Sequence, residues 1–289
     1  MQKDLLTIVS SNMPQFSKGQ KLIANYLLAH YDKSAFMTAS KLGATVGVSE
    51  STVVRFATEL GFDGYPGLQK ALQEMIRNRL TSVQRIEVTT DQIGTDSVFD
   101  KVLNLDIEKI RRTLEESSRD DFNAAVDALV GAGSIYIIGA RSAAALAQFL
   151  AYYFNLMFKS VRLVGTTSSS EMFEQIMRIS DKDMMIGISF PRYSKHTVKA
   201  LKYASDKGAN VLAITDSVMS PLAEYADHLL LARSDMASFV DSLVAPLSVI
   251  NALIVAIGIK KREEISRTFE TLERIWDEYD VYQKAEEKE

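Results

Sequence analysis

From Ser134 onward the sequence alternates short apolar runs with helical segments, and this alternation limits the possible folds more than any other feature. The runs fall at residues 135–138, 161–164, 184–188, 211–215 and 229–231. They lack a regular polar alternation, as parallel strands covered on both faces do. Segments with helical spacing at 143–157, 171–179 and 197–207 separate the first four, and 221–225 can supply a short helix before the fifth. Repeated βα units of this length predict α/β architecture: a doubly wound, mostly parallel five-stranded sandwich with right-handed crossovers. Long helices over 241–259 and 263–282 close the chain.

Residues 1–80 contain no strand pattern. Phe16, Leu22, Ile23, Tyr26 and Leu27 have the i, i+3, i+4 spacing of a buried helical face, with Ser17 as N-cap. Further helices are expected over 38–45, over 49–60 ending at Gly61, and over 68–80 after a Tyr65-Pro66-Gly67 turn. Residues 81–95 lose the helical period and collect Thr and Ser, as a linker does. The expected organisation is an all-α helix-turn-helix domain over 1–80, a linker over 81–95, and an α/β domain with flanking helices over 96–289. Amphipathic helices over 97–114 and 120–130 lead into the strands, the second with an acidic start that suits the helix dipole.

The net charge of −4 argues against a chain that coats nucleic acid by charge alone. Residues 1–80, however, hold nine Lys and Arg against six Asp and Glu, while the remainder holds 24 against 31. Only the head is suited to phosphates, and weakly as a single copy. The absence of cysteine excludes disulfides, thiolate metal sites and a cysteine nucleophile. With no signal-like start and no apolar run near the ~20 residues of a membrane span, the expectation is a cytoplasmic protein with no membrane partner. No His or carboxylate spacing suggests a metal, and no cofactor is expected.

Within the head, Leu42 and Val48 can pack between two helices, and Val53, Val54 and Phe56 supply the apolar positions of the second. Gly47 permits the sharp turn, and Ser49 can cap the helix after it. That helix then presents Glu50, Ser51, Thr52 and Arg55 from its first turns, polar groups that can reach base edges or phosphates. An ordinary helical hairpin with a capping Ser and a solvated Arg has the same spacing. The run Ser49-Glu-Ser-Thr-Val-Val-Arg-Phe, then Glu59-Leu-Gly-Phe-Asp-Gly-Tyr and Leu68-Gln-Lys, closely resembles the head of the RpiR family of bacterial regulators. The resemblance implies contact with double-stranded operator DNA through Thr52 and Arg55, with Ser49, Glu50 and Ser51 beside them and Lys41 or Lys70 near the backbone.

Ligands of parallel sheets bind beyond the carboxyl ends of the strands where strand order reverses. Three loops at that edge are polar: Gly139-Ala-Arg-Ser142, Gly165-Thr-Thr-Ser-Ser-Ser170 and Ser189-Phe-Pro-Arg-Tyr-Ser194. Hydroxyls and amides at helix N-termini suit an anion, and Arg141 and Arg192 can add charge-assisted bonds. Simple N-caps at Ser142 and Ser194 and a solvated Thr/Ser run would look the same. Residues 120–260 resemble the SIS (sugar isomerase) domain that follows the head in RpiR regulators, with Ala213-Ile-Thr-Asp216 and Ser220-Pro-Leu-Ala-Glu-Tyr-Ala-Asp227 carrying the likeness. The resemblance implies a sugar phosphate held near Ser142, Ser189 and Ser194, with Thr166 in the second polar loop and Ser238 in the loop after the fifth strand. Pro191 and Arg192 depart from the Ser-x-Ser-Gly-x-Thr pattern of many SIS domains, which brings Arg192 and Tyr193 toward the ligand.

The rival expectation is a sugar-phosphate isomerase, which needs a general base such as His196 or Glu171. A DNA-binding head has no use in such an enzyme, so a regulator without catalytic residues is expected. It is expected to act as a homodimer or homotetramer, with the apolar helices at 149–158 and 244–257 serving either as its faces or as part of the monomer core.

Overall fold

The computed structural model describes residues 5–77, 83–86, 97–166, 168–234 and 240–282. The chain forms two compact units, the first of Met1–Val102 with Met236–Val240 and the second of Leu103–Asp235 with Asp241–Glu289. Of the segment read as a linker, only residues 83–86 are among those described.

The first unit is helical: α1 (Leu5–Asn12), α2 (Lys18–Ala29), α3 (Tyr31–Ser34), α4 (Ala39–Val46), α5 (Glu50–Glu59) and α6 (Gly64–Arg77). Ser17 caps α2 reciprocally with Gln20, as its position predicts. The core gathers Ile23 and Leu27 of α2, Leu42 of α4, Val53 and Phe56 of α5, and Leu68 and Leu72 of α6, all fully buried. The Phe16 and Phe56 rings meet with centroids 5.0 Å apart.

Two sequence expectations fail here. Tyr65, Pro66 and Gly67 form the first turn of α6, where proline lacks only an amide that has no helical partner anyway. Val54 is 38% exposed, because the buried face of α5 is the i, i+3, i+4 set Val53, Phe56 and Ala57.

Starting α6 early buries Tyr65, whose hydroxyl donates to the Met37 carbonyl at 2.8 Å. Burial pushes its pKa up to about 12 from 10.0. The fold therefore favours the protonated phenol, so this contribution is intact below about pH 10 and is lost as pH rises toward 12. Alkaline titration by circular dichroism should show helix loss across that interval, and Tyr65→Phe should remove this component while costing about 1 kcal/mol at neutral pH.

The second unit is a five-stranded, fully parallel sheet of order β2-β1-β3-β4-β5: β1 (Ile135–Gly139), β2 (Val161–Val164), β3 (Met184–Ile188), β4 (Asn210–Thr215) and β5 (His228–Leu231). Helices α7 (Val98–Glu116), α8 (Arg119–Gly131), α9 (Ala143–Met157), α10 (Ser169–Ile176), α11 (Lys195–Asp206), α12 (Val244–Lys260) and α13 (Arg262–Glu278) complete the chain.

Alternate residues of each strand serve opposite faces. Ile135 and Ile137 of β1 pack with α8, α9 and α12, while Tyr136 and Ile138 pack with α10 and α11. This two-sided core is the doubly wound arrangement that the apolar runs predict. The edge strand β2 departs from them, with Arg162 and Leu163 exposed and the Arg162 guanidinium 5.4 Å from the centre of the Tyr136 ring. Among the described residues no single helix is long and apolar enough to cross a membrane.

Candidate functional site

In the first unit, α4 and α5 form the helix pair expected from the sequence. Gly47 closes α4 at φ +77°, a left-handed conformation that glycine adopts without a Cβ clash. Ser49 caps α5, its Oγ accepting from the Thr52 amide at 3.3 Å and lying 2.9 Å from both the Ser51 and Thr52 hydroxyls. Glu50 stands in the first turn. Arg55 is exposed, its Nε donating to the Ser51 carbonyl at 3.3 Å. Lys41 and Lys70 are exposed as well.

The spacing of Ser51, Val54, Arg55 and Thr58 places all four on the outer face of α5. Val54 thus adds an apolar side chain to this otherwise polar outer face, a feature the sequence reading missed by placing valine in the core. Its signal was the helical period itself, which assigns 53, 56 and 57 inward.

In the second unit, the strand order reverses between β1 and β3, so the crevice of this topology lies between their carboxyl ends. Gly139 ends β1 opposite Ile188 at the end of β3. A Cβ on Gly139 would come within 2.5 Å of the Ala143 carbonyl oxygen, so only glycine lets α9 begin this close to the strand. The loops carrying Arg141 and Ser142 and those carrying Ser189 to Ser194 therefore leave neighbouring strands at the switch point.

Arg141 and Arg192 have φ of +58° and +67°, left-handed values that non-glycine residues rarely adopt. At Arg192, where the usual pattern has glycine, this is a φ that glycine would reach without strain. At Arg141 the positive φ is followed by Ser142 at −60°, the kind of alternation found in backbone turns whose amides face an anion.

The candidate hydroxyls differ in their local work. Ser142 makes no side-chain cap bond, so simple capping does not account for it. Ser194 does cap α11, its Oγ accepting from the Thr197 amide, while its own amide donates to Ser189 Oγ at 3.1 Å. Ser189 is nearly buried. Tyr193 donates its hydroxyl to Asp216 Oδ1 at 2.8 Å, joining the β3 loop to the end of β4. Thr166 is engaged within its own loop, donating to Glu171 and accepting from the Ser168 amide. Ser238 lies outside the described residues. Of the two base candidates, Glu171 is exposed and held by Thr166, and His196 is half-buried at the start of α11.

The helix-turn-helix domain model of the rpiR family matches residues 3–79, and the SIS domain model matches residues 128–256. The chain thus joins an rpiR-type helix-turn-helix head to a SIS domain. Its relatives include the HTH-type transcriptional regulator HexR of Escherichia coli, 27% identical over 283 residues, with 93% of this chain and 94% of HexR covered. Among solved structures, the sugar isomerase domain of an RpiR transcription factor from Sphaerobacter thermophilus is 29% identical. The match covers 62% of this chain and 99% of that one, with a TM-score of 0.60. The Vibrio vulnificus NanR protein, solved as a complex with ManNAc-6P, is 21% identical with a TM-score of 0.59. That match covers 95% of this chain and 98% of NanR. These matches make the first unit an rpiR-type helix-turn-helix head and the second a SIS domain, and HexR and the Sphaerobacter thermophilus protein are transcription regulators.

Proposed function

We propose that this RpiR regulator reads operator DNA with the outer face of α5 and binds a sugar phosphate in the crevice between β1 and β3, without catalysing its isomerisation. The observation that carries the effector half is the Arg141–Ser142 turn: a left-handed arginine and a serine free of capping duty, at the start of a helix, on the switch-point strand. Arg192, Tyr193, Ser189 and Ser194 border it from the β3 side, with Thr166 in the loop after β2. Ser238 is included by its position after β5. NanR, which shares the fold, binds a sugar phosphate, and this supports the class of ligand.

On the DNA, Arg55 and Thr52 make the principal contacts, with Ser49, Glu50 and Ser51 beside them and Lys41 on the phosphates. The chain works in the cytoplasm as a homo-oligomer, since the small basic excess of one head gains from pairing on a two-fold operator. Tyr152 of α9 and Val255 and Ile259 of α12, each more than half exposed, are offered as the self-association face, and sedimentation equilibrium tests it.

The decisive experiment is thermal shift against fructose 6-phosphate, N-acetylmannosamine 6-phosphate, the parent sugars and inorganic phosphate. A sugar phosphate at 100 times its Kd should stabilise the second unit by about 2.7 kcal/mol. The parent sugars should do little. Ser189→Val removes the acceptor of the Ser194 amide and should weaken this response at least tenfold while DNA binding stays within about twofold. Turnover of fructose 6-phosphate would instead support the isomerase reading, and no shift with any of these compounds would defeat the effector assignment.

A further inference from the structure

Helix α7 is turned inside out. Its buried residues are Lys109 and Thr113, 5% and 7% exposed, whereas Leu103, Ile107, Ile110 and Leu114 are 38% to 62% exposed. Ile110 and Leu114 line a cavity of about 410 Å³ beside β5 instead of entering a core. A helix that served only as a brace would bury its apolar stripe.

What holds the polar face is the segment leaving β5. Thr113 Oγ1 accepts from the Arg233 amide at 2.9 Å, and the Arg233 guanidinium pairs with Glu116, its Nε donating at 2.5 Å. Further along, Ser242 Oγ donates to Asp106 Oδ1 at 2.7 Å, and the Lys109 ammonium donates to the same oxygen at 3.2 Å. Ser234 Oγ donates to the Ser242 carbonyl at 3.1 Å, so the two attachment points are tied to one another.

The same segment starts at the carboxyl edge of the sheet. The Ala232 amide donates to the carbonyl of Thr215, the last residue of β4, at 2.8 Å. Thr215 precedes Asp216, which accepts from the Tyr193 hydroxyl. A continuous series of bonded neighbours therefore runs from the β3 loop through β4 and Ala232 to Arg233 and α7. Hydrogen bonds weaken steeply with angle and distance, so a small movement of that edge changes these attachments sharply, which sliding apolar contacts would not do.

We infer that Arg233, Thr113 and Glu116 are positioning residues of the effector response: they form a polar joint that passes the state of the β3–β4 edge to α7. In the chain that helix begins at Val98, within the first unit. The inference rests on the effector reading above, and it adds residues that touch neither ligand.

The test uses the full chain, an operator selected from random duplex DNA, and fructose 6-phosphate or N-acetylmannosamine 6-phosphate as effector. In the native chain the sugar phosphate shifts DNA affinity. Arg233→Ala and Thr113→Val should bind DNA and sugar phosphate separately within threefold of the native chain, but the shift should shrink at least fivefold. The exchange Arg233→Glu with Glu116→Arg should restore part of it. Hydrogen exchange supplies a readout that does not need DNA: the sugar phosphate should change protection of α7 amides in the native chain and not in Thr113→Val. Variants that keep the full shift and the full α7 response would overturn the joint while leaving the effector reading intact. A native chain whose DNA affinity and α7 amides ignore both sugar phosphates would overturn the two together.

Discussion

Phe56→Ala is expected to unfold the DNA-binding head at a temperature where the SIS domain remains folded. Phe56 is fully buried at the meeting point of α2, α4, α5 and α6, against Phe16. Truncating a buried phenylalanine costs about 3–5 kcal/mol, and a domain of this size holds only about 5–15 in total. Among the described residues that core draws on the first unit alone, while Ile135, Ile137 and Phe154 belong to a separate cluster. Calorimetry should therefore show one transition moving down by many degrees and a second that stays in place. The variant should still respond to sugar phosphate but bind no operator near the melting temperature of the head. A single transition moving as a whole would show that the two cores are not independent.

Arg55→Ala is expected to leave both cores untouched and to weaken operator binding by about 1–3 kcal/mol, or roughly 5- to 150-fold. Arg55 is exposed on the outer face of α5 and makes one hydrogen bond, to the Ser51 carbonyl of its own helix, so its removal costs the fold little. Fluorescence anisotropy on the selected operator measures the loss, and its salt dependence sorts the contact. A shallower salt slope with unchanged sequence preference marks a phosphate contact; relaxed preference at one base pair marks a base contact. Arg55→Lys separates them again, since lysine replaces a phosphate contact but not a bidentate contact to guanine. Affinity within twofold of the native chain would remove Arg55 from the interface.

The strands were the most legible part of the sequence, because runs such as Ile135–Gly139 and Met184–Ile188 are buried on both faces and carry nothing but apolar side chains and glycine, apart from Tyr136. Their order was legible only as a class: the reversal between β1 and β3 comes from pairing across the chain, which local composition does not encode. Tyr65-Pro66-Gly67 looked like a turn since proline and glycine punctuate most helices, yet both are tolerated in a first turn. At α7 the amphipathic stripe was visible and its orientation was not. A stripe indicates burial only when no polar partner competes for the helix, and here Arg233 and Ser242 do. In the candidate site, the polar loops and their residues were readable from their positions after the strands. The left-handed backbone at Arg141 and Arg192 was not, because nothing in the identity of an arginine announces it.

Those two left-handed arginines have a consequence for how the protein can change over generations. Holding a non-glycine residue in this region costs on the order of 1 kcal/mol or more, so each position carries a standing disadvantage that glycine would relieve. Selection for thermal resilience alone would favour glycine at both sites. With the effector held as proposed, laboratory evolution toward heat tolerance is expected to make this chain sturdier and deaf to the sugar phosphate at once.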